Sequence, residues 1–290
     1  MTLWRPMLPA LAASALLMAG CGATAGPSAD RTAVVATPSA APTSAPTPST
    51  APWPSQVMAY PLGADTREMG LLSYVPPSYG ADDGIRWPLL VYLNGYDSNG
   101  DGSEHDLRKL LTPGWGISSM IAAGDWPTHL PFIVLMPQYS LADAQHCELH
   151  DEIQSVIDWA ERTYRVDAAR VYLTGISCGA IGALDYLASS EARRVAAAVP
   201  IASAPVFAWE KAGCGLAPTP MWFFHGELDE IVPVHFVRDV VADLRACTDP
   251  PPAEIKLTIY PDANHDEWMR TYDGSAGHDV FAWMLEHTLP

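Results

Sequence analysis

The stretch Val171-Tyr172-Leu173-Thr174-Gly175-Ile176-Ser177-Cys178-Gly179-Ala180 decides the fold. Its first four residues form an apolar run of strand type. Gly175 to Gly179 then compress into a tight turn, and Ala180 to Leu187 continue with helical character. Strand, sharp turn and helix together form the elbow that lifts a serine hydroxyl above the carboxyl end of a sheet. The two glycines serve the tight turn and the close approach of the following helix. Ser177 is thereby expected at a helix N-terminus, with the amide of Cys178 beside its hydroxyl.

The pattern around the elbow is an alternation. Short apolar runs bounded by turn residues occur at Leu89 to Leu93, Phe132 to Met136, Val171 to Thr174, Ala197 to Ala202, Met221 to Phe224 and Ile255 to Tyr260. They read as buried strands. Between them lie helical patterns at Asp151 to Tyr164, Cys178 to Ser189, Val234 to Leu244 and His278 to His287. In the first of these, Ile153, Val156, Ile157 and Ala160 share one face. Alternation of this kind predicts an α/β fold, a mostly parallel sheet flanked by helices on both faces, with the ligand site at the carboxyl ends of the strands.

A serine hydroxyl needs a base and a group that orients the base. Asp229 lies just past the run Met221 to Phe224, in His225-Gly226-Glu227-Leu228-Asp229-Glu230; Glu227 and Glu230 are competing carboxylates. His265 lies in the loop after Ile255 to Tyr260. The order Ser177, Asp229, His265, each at a strand end, predicts nucleophile, acid and base. His225 reads as a packed histidine supporting the Asp229 loop. His278 and His287 fall in the closing helical pattern, facing solvent or capping it. Trp115 and Trp209 stand where they could line a cleft. Asp97 to Gly102 resembles the first half of a calcium loop, but Arg108 occupies the position of the bidentate Glu, so the segment reads as an acidic turn and no metal site is expected.

The chain has 290 residues, of which the first 54 are expected to lie outside the fold. Arg5 precedes an apolar run from Leu8 to Ala19, too short for a membrane span of ~20 residues. The run ends in Leu17-Met18-Ala19-Gly20-Cys21, which resembles the bacterial lipobox, with Met18 where Leu is commoner. The resemblance implies a signal peptide over residues 1–20 and a lipidated Cys21. The plainer reading is a secretory signal with Cys21 as a bystander. Residues 22–54 hold seven Pro, nine Ala and ten Ser or Thr in 33 positions, a composition that cannot bury enough apolar surface to fold. As a stalk it would reach between ~30 and ~100 Å. The expected organisation is therefore signal (1–20), lipidated stalk (21–54) and folded domain (55–290).

The formal net charge is -17, from 16 Lys plus Arg against 33 Asp plus Glu. That balance excludes a general nucleic-acid binder and charge-driven adhesion to anionic lipid. Cys147, Cys178, Cys214 and Cys247 form an even set in an exported chain, with three possible pairings. None has the C-x-x-C spacing of a zinc site.

From about residue 70 to the C-terminus the chain resembles the α/β-hydrolases. Within them it is similar to the exported esterase and predicted-peptidase branch that includes dienelactone hydrolases, phospholipase/carboxylesterases and polyhydroxybutyrate depolymerase-like feruloyl esterases. Pro88 to Gly95, Pro131 to Gln138, Val166 to Gly179, Phe224 to Pro233 and Tyr260 to Tyr272 carry the likeness, as do His265, Trp268 and Tyr272 ahead of the closing Phe281-Ala282-Trp283-Met284-Leu285. The resemblance implies Ser177 as nucleophile, His265 as general base, Asp229 as orienting acid, and backbone N–H groups of Tyr96 and Cys178 as the oxyanion hole. Relatives usually carry His-Gly where this chain has Asn94-Gly95. In one feruloyl esterase group a disulfide joins cysteines next to the catalytic Ser and His, but no Cys flanks His265. The expected bridge here joins Cys214 and Cys247, which bracket the acid-bearing strand and its helix, with Cys178 either a buried thiol or half of a second bridge.

The expected function is a cofactor-free, monomeric serine hydrolase of carboxylic esters on the extracytoplasmic side of a bacterial envelope, tethered through the N-terminal lipid. Peptide hydrolysis by the same triad is the alternative. A reading of another class is a non-catalytic surface binding protein on a hydrolase fold.

Overall fold

The computed structural model describes residues 52–63, 69–140 and 147–290, with the side chains of Ser190 and Ala192 excepted. The signal, Cys21 and the stalk up to Ala51 lie outside the described residues. Packing already begins at Trp53, whose ring lies 4.1 Å beneath the Arg108 guanidinium and whose Nε1 donates to Glu104.

Eight strands form one sheet: β1 (Met58–Tyr60), β2 (Gly70–Tyr74), β3 (Trp87–Leu93), β4 (Ile133–Gln138), β5 (Val166–Ile176), β6 (Ala197–Ile201), β7 (Met221–Gly226) and β8 (Ile255–Tyr260), in the order β1-β2-β4-β3-β5-β6-β7-β8. The pairs β1·β2 and β2·β4 are antiparallel, and every other pair is parallel. The period of two sends successive strand residues to opposite faces. Leu89, Val91 and Leu93 enter one core while Leu90 and Tyr92 enter the other; Met221 and Phe223 part from Trp222 and Phe224 in the same way.

Helices cover both faces. On the first core lie α3 (His150–Thr163), α4 (Cys178–Leu187) and α6 (His235–Ala246). The second is covered by α2 (Ile117–Ala123) and α8 (Val280–Leu285), while the short α1 (Glu104–Leu107) adds Leu107; α5 (Val206–Ala212) and α7 (Trp268–Tyr272) sit near the strand ends. Helix α3 forms because Ile153, Val156, Ile157 and Ala160 recur at helical spacing and bury completely or nearly so.

Strands β1 and β2 were not anticipated. The first is three residues long, and the second opens on Gly70, which packs against Gly102. The closing helix is also shorter than expected. His278 precedes it and packs among Trp222, Phe224 and Tyr260, at 5.4, 5.5 and 6.3 Å between ring centroids. His287 follows it, against Trp283 and 3.4 Å from Glu254. Neither imidazole caps the helix or simply faces solvent, because aromatic neighbours on β7 and α8 offer each ring a contact surface.

The connections after β3 and β5 leave in opposite directions, to β4 and to β6. Adjacent strands whose connections diverge leave a crevice at their carboxyl ends. Leu93 is in register with Gly175, Ile201 with Phe224, and Gly226 with Tyr260, so the five strands β3, β5, β6, β7 and β8 end along one rim.

Candidate active site

Ser177 follows β5 and precedes α4 with φ 51° and ψ −120°, a conformation that costs a non-glycine residue about 1–3 kcal/mol. The surroundings hold it there. Its N–H donates to Ile201 O at 2.9 Å, and its carbonyl accepts from Ile181 N at 3.0 Å. A Cβ on Gly179 would stand 2.2 Å from Leu93 O and 2.5 Å from Asn94 O, so only glycine lets α4 approach the end of β3 this closely.

His265, on the loop after β8, brings Nε2 to 2.9 Å from Ser177 Oγ, while its Nδ1 lies 2.7 Å from Asp229 Oδ2. The other oxygen of Asp229 accepts from the N–H groups of Ile231 and Val232 at 2.9 and 2.8 Å. Burial alone would raise the Asp229 pKa, but hydrogen bonds from His225, His265 and Val232 outweigh it and hold the carboxyl well below its ordinary range. An ionised Asp229 makes His265 Nδ1 the donor, which leaves Nε2 to accept from the Ser177 hydroxyl. The competing carboxylates face elsewhere: Glu227 pairs with Arg238, and Glu230 is exposed.

His225 is fully buried on β7, with Nε2 at 2.8 Å from Val232 O and 3.1 Å from Asp229 Oδ2. It braces the loop that carries Asp229. Trp268 sets its ring at 90° to His265, 5.7 Å between centroids, and donates from Nε1 to Gly114 O at 2.8 Å. Glu267, between them in sequence, is 3 % exposed, and burial pushes its carboxyl up to about 7. Nothing in the sequence separated this glutamate from a solvated loop charge such as its neighbour Asp266.

Tyr96 and Cys178 both reach the crevice ends. Cys178 is the first residue of α4, where helix geometry leaves the N–H outside the intrahelical ladder. Tyr96 opens a short 3-10 turn directly after Gly95 and lines the same cleft as Ser177. Asn94, at the position where the resemblance implies a His, is 1 % exposed, with Oδ1 accepting from Ser118 and its carbonyl accepting from Tyr139. Its side chain thus belongs to the interior, leaving a backbone donor at Tyr96 unobstructed by the exchange.

Both cysteine pairs are bridged. Cys214–Cys247 joins the segment before β7 to the end of α6, as expected. Cys147–Cys178 ties the residue after Ser177 to the turn before α3, so Cys178 is half of a disulfide.

Ser177 and His265 border a cleft of about 950 Å³, walled by Tyr96, Trp115, Ile231, Trp268 and Met269, with the exposed Asp97 and Asp266 also lining it. Trp115 stacks on Trp268 at 6.0 Å. Trp209 instead packs beside the first core. The acidic turn is braced internally, Asp101 accepting from Ser103 N at 2.9 Å and Asp106 from Asp101 N at 3.1 Å. A hydroxyl, an imidazole and a carboxylate in line, beside an open cleft, can perform nucleophilic acyl transfer.

Residues 137–274 match the phospholipase/carboxylesterase family. A bifunctional acetylxylan esterase/xylanase of Neocallimastix patriciarum is 30% identical over 135 residues, which cover 45% of this chain and 19% of that protein, so the chain spans about a fifth of that relative. Among solved structures, a thermostable esterase superposes with TM-score 0.55 at 20% identity, covering 80% of this chain and 62% of the other. A thermophilic esterase from the planctomycete Thermogutta terrifontis gives TM-score 0.54 at 14% identity, covering 81% and 96%. The structural likenesses establish the fold.

Proposed function

We propose that this chain, an α/β-hydrolase of the esterase branch, hydrolyses carboxylic esters through Ser177, His265 and Asp229. The observation that carries the reading is the unbroken relay from Ser177 Oγ through His265 to a carboxylate itself held by two backbone N–H groups.

In this reading Ser177 Oγ attacks the ester carbonyl while His265 Nε2 takes its proton. The imidazolium that forms is stabilised by Asp229, and the carbonyl oxygen, now anionic, moves toward the N–H groups of Tyr96 and Cys178. Each such donor is worth about 10²–10³ in rate. His265 then returns the proton to the departing alkoxide. A water deprotonated by His265 attacks the acyl-enzyme and frees Ser177.

The cleft supports a neutral substrate. The exposed Asp97 and Asp266 line it, and its described lining includes no Lys or Arg, so an anionic acyl or alcohol group would meet repulsion. Export rests on the apolar run ending in Cys21 and gains support from two disulfides, which persist in oxidising compartments. On that basis the enzyme is held by lipid on the extracytoplasmic side of a bacterial envelope, with the stalk as spacer.

The test is a substrate panel on the purified chain: p-nitrophenyl esters of increasing acyl length, feruloyl esters and peptide p-nitroanilides. Ester kcat/KM at least 100-fold above the anilides supports the proposal. Anilide turnover at the ester rate would make the chain a peptidase. Turnover of neither would leave a surface binding protein.

A further inference from the structure

The cleft beside Ser177 does not end at Met269. On the far side of that residue lies a second cavity of about 340 Å³, and Pro113, Gly114 and Met269 line both. Leu111, Met120, Ala122 and Ala123 form the rest of its apolar wall. Ser119, also in that wall, spends its hydroxyl on Gly116 O at 2.8 Å. Its described lining includes no Lys or Arg, and the acid in it, Asp125, is exposed. The chamber therefore offers nothing to an anion and little to a hydrogen-bonding group, whereas an apolar chain would take its walls out of water.

The partition between the two spaces has a fixed part and a soft part. Gly114 is held by Trp268, whose Nε1 donates to its carbonyl at 2.8 Å, and Thr112 O accepts from Trp115 N at 3.3 Å. Met269 reaches from α7 to the start of α2, where its Sδ, a weak acceptor, lies 3.3 Å from Gly116 N. It is half-buried, and its unbranched thioether chain turns about three bonds. We propose that the second chamber is a subsite for the distal end of an apolar chain on the ester substrate, and that Met269 sets how long that chain can be. A chain running from Ser177 along the cleft meets Met269 before the chamber. Short chains never reach the partition, and longer ones are stopped by it. Truncating Met269 joins the two spaces, and each methylene then buried beyond the partition adds about fourfold to kcat/KM.

The inference rests on the esterase reading, and its test separates the two. kcat/KM is measured on the wild-type chain and on Met269→Ala for two substrate series, each below its solubility limit. p-Nitrophenyl esters from butanoate to decanoate lengthen the acyl side, and acetate esters from butanol to decanol lengthen the alcohol side. In one of the two series the ratio of longest to shortest substrate is expected to be at least tenfold higher in the variant, which about two further buried methylenes supply. A ratio compares two substrates on one protein, so a uniform activity loss from the truncation cancels. Unchanged ratios in both series overturn the proposal. The double variant Met269→Ala/Ala122→Trp, which fills the chamber from its far wall, is expected to return the ratio to within threefold of wild type; a gain that survives there reports a loosened cleft and overturns the subsite. Should Met269→Ala fail to fold, Met269→Val retains part of the packing and is expected to raise the same ratio at least threefold, and no rise contradicts the proposal. Absence of wild-type turnover on every ester sinks the esterase reading and the subsite with it, whereas unchanged ratios on an active enzyme remove the subsite alone.

Discussion

Gly226 closes β7 in register with Tyr260, and a side chain there would strike the loop that carries His265. A Cβ would lie 2.0 Å from Asn264 O and 2.6 Å from Ala263 O, where relaxed C···O contacts are about 3.3 Å or more. Substitution Gly226→Ala therefore requires the backbone at 263–264 to retreat by more than ~1 Å, with His265 next in the chain. The His265 Nε2 to Ser177 Oγ separation of 2.9 Å leaves little room for such a shift before the hydrogen bond is lost. A 1 Å misplacement costs on the order of 10²-fold in rate, and overpacking costs a further ~1–3 kcal/mol in stability. The assay is kcat/KM on a p-nitrophenyl ester together with thermal melting. Gly80→Ala is the control, because nothing lies within 4 Å of a Cβ at that position. If Gly226→Ala kept kcat/KM within threefold of wild type, the argument that this glycine sets the position of His265 would be refuted.

Replacing Glu267 by Gln should also change stability in a pH-dependent way. The folded carboxyl titrates at about 7 against an ordinary 4.5, so ionisation is disfavoured in the fold. Below 4.5 both states are protonated and nothing is lost; between 4.5 and 7 the penalty grows, reaching about 3 kcal/mol above 7. Urea unfolding should show the variant more stable by about that amount at pH 8 and level with wild type at pH 4, and an equal difference at both would count against the buried acid. The Cys147–Cys178 bridge closes a separation of 31 residues, for which chain entropy predicts about 3.5 kcal/mol. Cys147→Ser should lower both Tm and kcat/KM, because the bridge anchors Cys178, the residue whose N–H is proposed to face the oxyanion. Breaking Cys214–Cys247 should lower Tm alone; an equal activity loss from the two would remove any special link between the first bridge and catalysis.

The sheet was legible where strands are buried on both faces, because runs such as Leu89 to Leu93 and Met221 to Phe224 are continuously apolar and bounded by turns. It was illegible at the edge. Met58 to Tyr60 is too short to show a period, and Gly70 carries no side chain to signal its packing. The order of Ser177, Asp229 and His265 could be read because each follows a strand that is itself recognisable. What separates Asp229 from Glu227 and Glu230 is not in the local sequence: it is the Arg238 partner of Glu227, eleven residues on, and the fold that points Asp229 inward. The partner of Cys178 was hidden for a similar reason, since sequence spacing says nothing about which loop approaches a helix start. Glu267 was missed because an acidic residue beside another acidic residue looks solvated until its surroundings are seen.

The central claim is that Ser177 is a nucleophile activated by His265. Labelling the purified chain with a fluorophosphonate and locating the adduct by peptide mass spectrometry tests it most directly. One adduct on Ser177 is predicted, absent in Ser177→Ala, strongly slowed in His265→Ala and preserved in His278→Ala. An unlabelled wild-type chain, or an adduct whose formation depends on His278 and not on His265, would contradict it.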